Sequence, residues 1–150
     1  MDTGSASEYW DIQAAEFDDQ PDHGLQDRPS VTLGLTDPGK TLLAGLTETE
    51  VRRRLEGVAL QPMTEYTIAD PDELVRELQR IRQNGYGEDR EEYVVGCRCV
   101  AMPVHGRDGR PIAAMSVSVP TPRFTPRLER TIHEELARTV RELEELLQDK

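Results

Sequence analysis

Cys97-Arg98-Cys99-Val100-Ala101-Met102-Pro103-Val104-His105 and Arg110-Pro111-Ile112-Ala113-Ala114-Met115-Ser116-Val117-Ser118-Val119 are two extended runs separated by Gly106-Arg107-Asp108-Gly109. Asp-Gly between two such runs is a strong hairpin signal, because a glycine there accepts the positive φ that a tight turn requires. With Asp108 and Gly109 as the two turn residues, Cys99 faces Ser118, Ala101 faces Ser116 and Met102 faces Met115 across the ladder.

That register sorts the side chains, since successive residues of a strand point to opposite faces. Val100, Met102, Val104, Ala113, Met115 and Val117 share a uniformly apolar face suited to packing under helices. The other face carries Cys97, Cys99, Ala101, Ser116 and Ser118, which are small and in several cases bear a donor or acceptor. Small polar groups leave volume above a sheet, and hydroxyls placed there orient a small polar ligand such as a carboxylate. The alternative is a solvated outer face, the ordinary state of a half-exposed antiparallel sheet.

Working outward, four helices are expected. Thr36-Asp37-Pro38 pairs a capping residue with a proline and opens a short helix through Leu42 and Leu43 to Gly45. Thr47 and Glu50 have capping-box spacing at the head of the next, which Val51 and Leu55 anchor and Gly57 stops. Asp70-Pro71 opens a third, with Asp72 and Glu73 at its positive end and Asn84-Gly85 at its close. The fourth starts at Thr125-Pro126 and repeats Leu128, Ile132, Leu136, Val140, Leu143 and Leu147 at helical spacing, a pattern read as a surface helix ahead of a dimer seam.

The 150 residues suit one domain, and the formal net charge of -11 repels phosphate backbones and anionic membranes, so direct nucleic-acid binding is disfavoured. Residues 1 to 30 form an acidic appended segment of poor order, with one apolar patch at Tyr9, Trp10, Ile12 and Phe17; residues 31 to 150 form the domain. The segment has no basic leader composition, and no run has the ~20 apolar residues of a membrane span, so a cytoplasmic chain with reduced thiols is expected. Cys97-Arg98-Cys99 lacks the second Cys pair or spaced His pair of a structural zinc site. His23, His105 and His133 are scattered, and no base is placed to activate Cys99, so neither a metal, a cofactor nor a catalytic residue is expected. Arg52, Arg53 and Arg54 read as a solvated helix face.

Four stretches, in order and spacing, resemble the C-terminal signature of the IclR family of transcriptional regulators. They are Asp37-Pro38-Gly39-Lys40-Thr41-Leu42-Leu43-Ala44, similar to that family's Ala-Leu-Gly-Lys-Ala-Leu-Leu-Ala helix; Gly85 to Glu92; Gly96 to Val104; and Ala113 to Pro120. The resemblance spans roughly residues 31 to 147. It implies an α+β, GAF-like domain, a curved antiparallel sheet with flanking helices, that binds a small organic acid on the sheet. Carried over by motif, the pocket residues are Asp89, Cys99, Ser116 and Ser118. The resemblance also implies a homodimer or association with a DNA-binding chain.

Three departures stand out. The family's winged helix-turn-helix is not found in residues 1 to 30; the first strands of the effector domain are expected to be missing; and Val119 occupies a position where the family usually has Gly before Pro120. Separately, Tyr9 to Leu25 resembles the opening of some class I S-adenosylmethionine-dependent methyltransferases, but the Gly-rich turn that cradles that cofactor does not follow. The leading reading is a small-molecule sensing module; the rivals are a fusion-derived or truncated interaction domain without ligand binding, or a methyltransferase remnant.

Overall fold

In a computed structural model of the chain the described residues run from 36 to 148. The acidic segment and its methyltransferase-like stretch therefore lie outside the described residues. In chain order the elements are α1 (Asp37–Leu43), α2 (Glu48–Leu55), α3 (Pro71–Asn84), β1 (Gly87–Arg90), β2 (Cys97–His105), β3 (Pro111–Pro120), a 3-10 turn (Thr121–Arg123) and α4 (Pro126–Gln148). The architecture is α+β, as expected.

Each helix begins and ends for a local reason. The Thr36 hydroxyl accepts from the Gly39 N–H, and Thr47 with Glu50 makes the reciprocal capping box heading α2. Asp70 caps α3 by accepting from the Glu73 N–H, and Gly85, at φ 80°, closes it in the left-handed region where a β-carbon is unwelcome. The Thr125 hydroxyl accepts from the Leu128 N–H at the head of α4.

The sheet is antiparallel with strand order β1-β2-β3. Cys99 pairs with Ser118, Ala101 with Ser116 and Met102 with Met115, the register expected from the sequence. The turn that delivers it differs in detail. The Gly109 N–H bonds the Gly106 carbonyl and the Gly106 N–H bonds that of Arg110, so Arg107 and Asp108 are the central turn residues and Gly109, at φ 73°, follows them. His105 then pairs with Pro111 and Val104 with Ala113, so Ile112 is an extra residue on β3 that restores the register. Strand β1 is not visible as an alternation in the sequence: Gly87-Glu88-Asp89-Arg90 is polar and becomes a strand because β2 offers it a ladder, with Asp89 opposite Cys99.

Two apolar clusters hold the layers. Val100, Val104 and Val119 meet Ile132, Leu136 and Val140 of α4 on one face of the sheet. Leu43, Val51, Leu55, Leu74, Leu78 and Ile81 join α1, α2 and α3. Full burial of such side chains contributes about 1.5–3 kcal/mol each. Helix α1 packs on the second face of the sheet, so the sheet lies between α4 and α1.

The apolar face of the hairpin is less completely covered than expected. Val100 and Val104 are buried, whereas Ala113 and Val117 of β3 are exposed, because β3 is an outer strand and α4 crosses nearer β2. Val119, which pairs with Arg98, turns its branched side chain into the α4 core, away from the small polar face. His105 fastens the end of β2 to α4: its backbone N–H donates to Glu144 Oε1 at 2.7 Å, and its Nδ1 lies 2.8 Å from the same oxygen.

Candidate functional site

The face of the sheet turned toward α1 gathers the residues singled out from the sequence. Asp89 on β1 and Cys99 on β2 are ladder partners and are both buried. Cys99 Sγ lies 3.1 Å from Ser118 Oγ and 3.9 Å from Cys97 Sγ, so the alternation of β2 and β3 brings three of these side chains into contact. Ser116, opposite Ala101, shares the face two residues along β3; Ser116 and Ser118 are exposed, so the cup is floored by β1 and β2 and open along β3.

Two residues of α1 join the site that the sequence did not assign to it. Asp37, read only as part of a helix start, is 3 % exposed, and its Oδ2 is buried without a hydrogen-bond partner among the described residues. Its carboxylate, that of Asp89 and the Cys99 thiol each bring an atom within 4.8 Å of the others. Lys40, one of the chain's two lysines, is 1 % exposed. Its ammonium donates to both Glu92 carboxylate oxygens, at 3.0 and 2.9 Å, and to the Glu88 carbonyl at 2.6 Å, with Glu77 Oε1 3.8 Å away. The available signal was the Gly-Lys of the α1 stretch, a lysine at the start of an apolar run.

Close approach makes this packing possible. A β-carbon on Gly87 would stand 2.5 Å from Thr41 Oγ1, so only glycine lets β1 pass beneath α1. Beyond β1 the chain folds back through Glu91, at φ 62°, and Gly96, at φ 87°. The loop is stitched by Asp89 Oδ1, which accepts from the Glu92 N–H at 2.7 Å, and by Thr64, whose hydroxyl donates to the Glu91 carbonyl at 2.7 Å. Asp89 thus has a structural duty as well as a face toward the cup.

The electrostatics follow from burial. Desolvation, then the charge of Asp89, pushes the Asp37 carboxyl up from its ordinary 3.8 to about 7, against the pull of Lys40. Asp89 is raised mainly by burial. Burial also pushes the Cys99 thiol well above its usual range and raises that of Cys97, so both stay protonated near neutral pH and are poor nucleophiles. This face thus carries hydroxyl and thiol donors at Ser118 and Cys99, a carboxyl at Asp89 that burial pushes upward, and an acid at Asp37 poised near neutrality.

Residues 30–145 match the family model of the C-terminal domain of bacterial IclR transcriptional regulators. The chain is 47 % identical over 87 residues to the HTH-type transcriptional regulator KdgR of Escherichia coli, covering 58 % of this chain and 33 % of that protein. It is 37 % identical over 93 residues to the repressor AllR of the same species, covering 62 % and 34 %. The chain thus spans about a third of the length of these curated relatives, which are regulators and not enzymes. Among solved structures, the C-terminal domain of E. coli KdgR aligns with a TM-score of 0.73 at 39 % identity, covering 77 % of this chain and 70 % of that one. The inducer-binding domain of the Acinetobacter transcription factor PobR, in complex with 3-hydroxybenzoic acid, aligns at 0.70 with 31 % identity, covering 75 % and 65 %. The chain belongs to the IclR family of bacterial transcriptional regulators, and what it carries is their C-terminal domain.

Proposed function

We propose that this domain senses a small organic acid bearing a second polar group, held in the cup formed by Asp89, Cys99, Ser116 and Ser118. The observation that carries the reading is the meeting of Cys99 and Ser118, 3.1 Å apart, beside buried Asp89 on a face that is open along β3. Hydroxyl donors at the open rim suit the carboxylate end of the ligand, and the carboxyls at the floor suit its hydroxyl or carbonyl end. A doubly charged acid is disfavoured, because the floor already holds Asp89 and the Lys40 ammonium is committed to Glu92. The complex of the related inducer-binding domain with a hydroxy acid is consistent with this preference.

A net charge of -11 disfavours direct contact with DNA, so on this reading the domain acts through a separate DNA-binding segment, in the same or another chain, as a cytoplasmic homodimer or in association with a DNA-binding chain. The test is a thermal-shift screen of the purified chain with 2-oxo acids, hydroxy acids, dicarboxylates and aromatic acids, since a ligand of the native state raises the melting temperature by mass action. A dose-dependent shift from hydroxy or oxo acids, lost in Ser116→Val/Ser118→Val at unchanged helix content, is expected. Affinity unchanged in the double variant would remove the pocket assignment.

A further inference from the structure

We infer that two copies of this chain pair through the outer edge of β3, antiparallel about a two-fold axis at Ser116, joining two three-stranded sheets into one. The hydrogen bonds at the two ends of the hairpin show which groups that edge offers. The Thr121 N–H bonds the Gly96 carbonyl and the Gly106 N–H bonds that of Arg110, so the residues of β3 that bond β2 are Ala113, Met115, Val117 and Val119. Ala114, Ser116 and Ser118 therefore turn their N–H and C=O groups outward, where no strand lies against them among the described residues. Such an edge is a template for another strand. Pro111, Pro120 and the extra residue Ile112 blunt its ends, yet no charged side chain interrupts the run from Ala113 to Val119.

The edge is complementary to itself. With Ser116 opposite the partner's Ser116, Ala114 falls opposite the partner's Ser118, and these pairs exchange both backbone bonds, about six in all. The closer pairs between them set Val117 against the partner's Met115 and Val119 against the partner's Ala113, covering Val117, 36 % exposed in the single chain, and exposed Ala113. Small side chains thus meet on the α1 face and apolar ones on the α4 face. Moving the axis to Val117 brings Pro120, which has no N–H, into the bonded set, and moving it to Met115 brings in the bulged Ile112. Charge favours a second copy at this edge as well. Pro111–Pro120 holds no ionisable side chain, so chains of net charge -11 meet where neither is charged, whereas the other outer strand, β1, is short and carries Glu88, Asp89 and Arg90. Strand pairing alone buries less than the ~1,200–2,000 Å² of a standard interface, so the dimer is of micromolar strength. The cup is open along β3, and the partner's Ser116 closes that side. The inference gives an interface to the homodimer of the proposed function and does not rest on acid recognition.

The test is sedimentation equilibrium of the full chain, free of organic acid, from about 1 to 200 μM. A monomer–dimer equilibrium with a Kd of about 10 μM is expected, tightening several-fold as salt screens the mutual repulsion of the two chains. Val117→Lys, at an exposed position, should keep its helix content by circular dichroism and raise the Kd at least about tenfold. In a Cys97→Ser/Cys99→Ser background, Ser116→Cys should form a covalent dimer on mild oxidation, because bonded partners stand ~5.5 Å apart at Cα. Ile112→Cys, whose two copies would lie about 26 Å apart, should not. A parent chain still monomeric at about 200 μM, a Kd unmoved in Val117→Lys, or equal cross-linking of the two cysteine variants would each overturn the interface. A monomer whose Ala114, Ser116 and Ser118 amides resist hydrogen exchange would overturn it too, by assigning the edge to a segment of the same chain. Acid recognition is decided apart from this, in the thermal-shift screen.

Discussion

Replacing Asp37 by Asn should make the protein more stable at pH 8 and leave it little changed at pH 4. The folded-state pKa of Asp37 is raised, from 3.8 to about 7, chiefly by burial and then by Asp89. Between those values the native chain holds a proton that the unfolded chain has released, so stability is fully present below pH 3.8 and is lost as pH rises toward and through 7. The loss runs at about 1.4 kcal/mol per pH unit and totals roughly 4 kcal/mol once Asp37 is ionised. That is a large share of the ~5–15 kcal/mol that holds a domain together. Asparagine has nearly the same shape and no charge at any pH, so its profile should lack this descent. Urea unfolding of both proteins between pH 4 and 8, followed by helix signal, reads the difference directly. The groups that face Asp37 are Asp89, Lys40, Glu92 and Cys99, and all remain in the variant, so the difference between profiles reads Asp37 together with its coupling to them. Parallel profiles, or an Asn variant that is the less stable at pH 8, would refute the reasoning.

Lys40→Met should cost about 3–5 kcal/mol, because it strands the Glu92 carboxylate in a buried position, and Lys40→Met/Glu92→Leu should recover much of the loss; urea midpoints decide both. Gly87→Ala should cost about 1–3 kcal/mol, since the new methyl would stand 2.5 Å from Thr41 Oγ1 and 3.3 Å from the Asp37 carbonyl, and adding Thr41→Ala should restore part of it. A Gly87→Ala protein as stable as the parent would mean that α1 does not press on β1 as described.

Much of this was legible in the residues and some was not, for physical reasons. Proline, threonine and glycine at helix ends act over three or four positions, so the bounds of α1 to α4 could be read nearly as they occur. The hairpin register was read from Asp108-Gly109 as the turn and survives even though the turn is centred on Arg107 and Asp108, because the extra residue Ile112 offsets the shift. Strand β1 escaped because its residues carry no apolar alternation and only its partner makes it a strand. Cys99 and Ser118 were placed together by register, whereas Asp37 and Lys40 reach the site from 50 or more positions away through helix packing, which no local pattern encodes.

The alternation of β2 and β3 separates two kinds of selection on one short hairpin. Val100, Val104 and Val119 answer to helix α4, while Ser116 and Ser118 are exposed on the opposite face, where the proposed ligand would meet them. A change at Ser116 or Ser118 leaves the α4 core undisturbed and, on the proposed function, falls on recognition alone, whereas a change at Val100 falls on the core. If the proposed pocket holds, single substitutions on β3 would change the acid recognised while remaining nearly silent to the folding reaction.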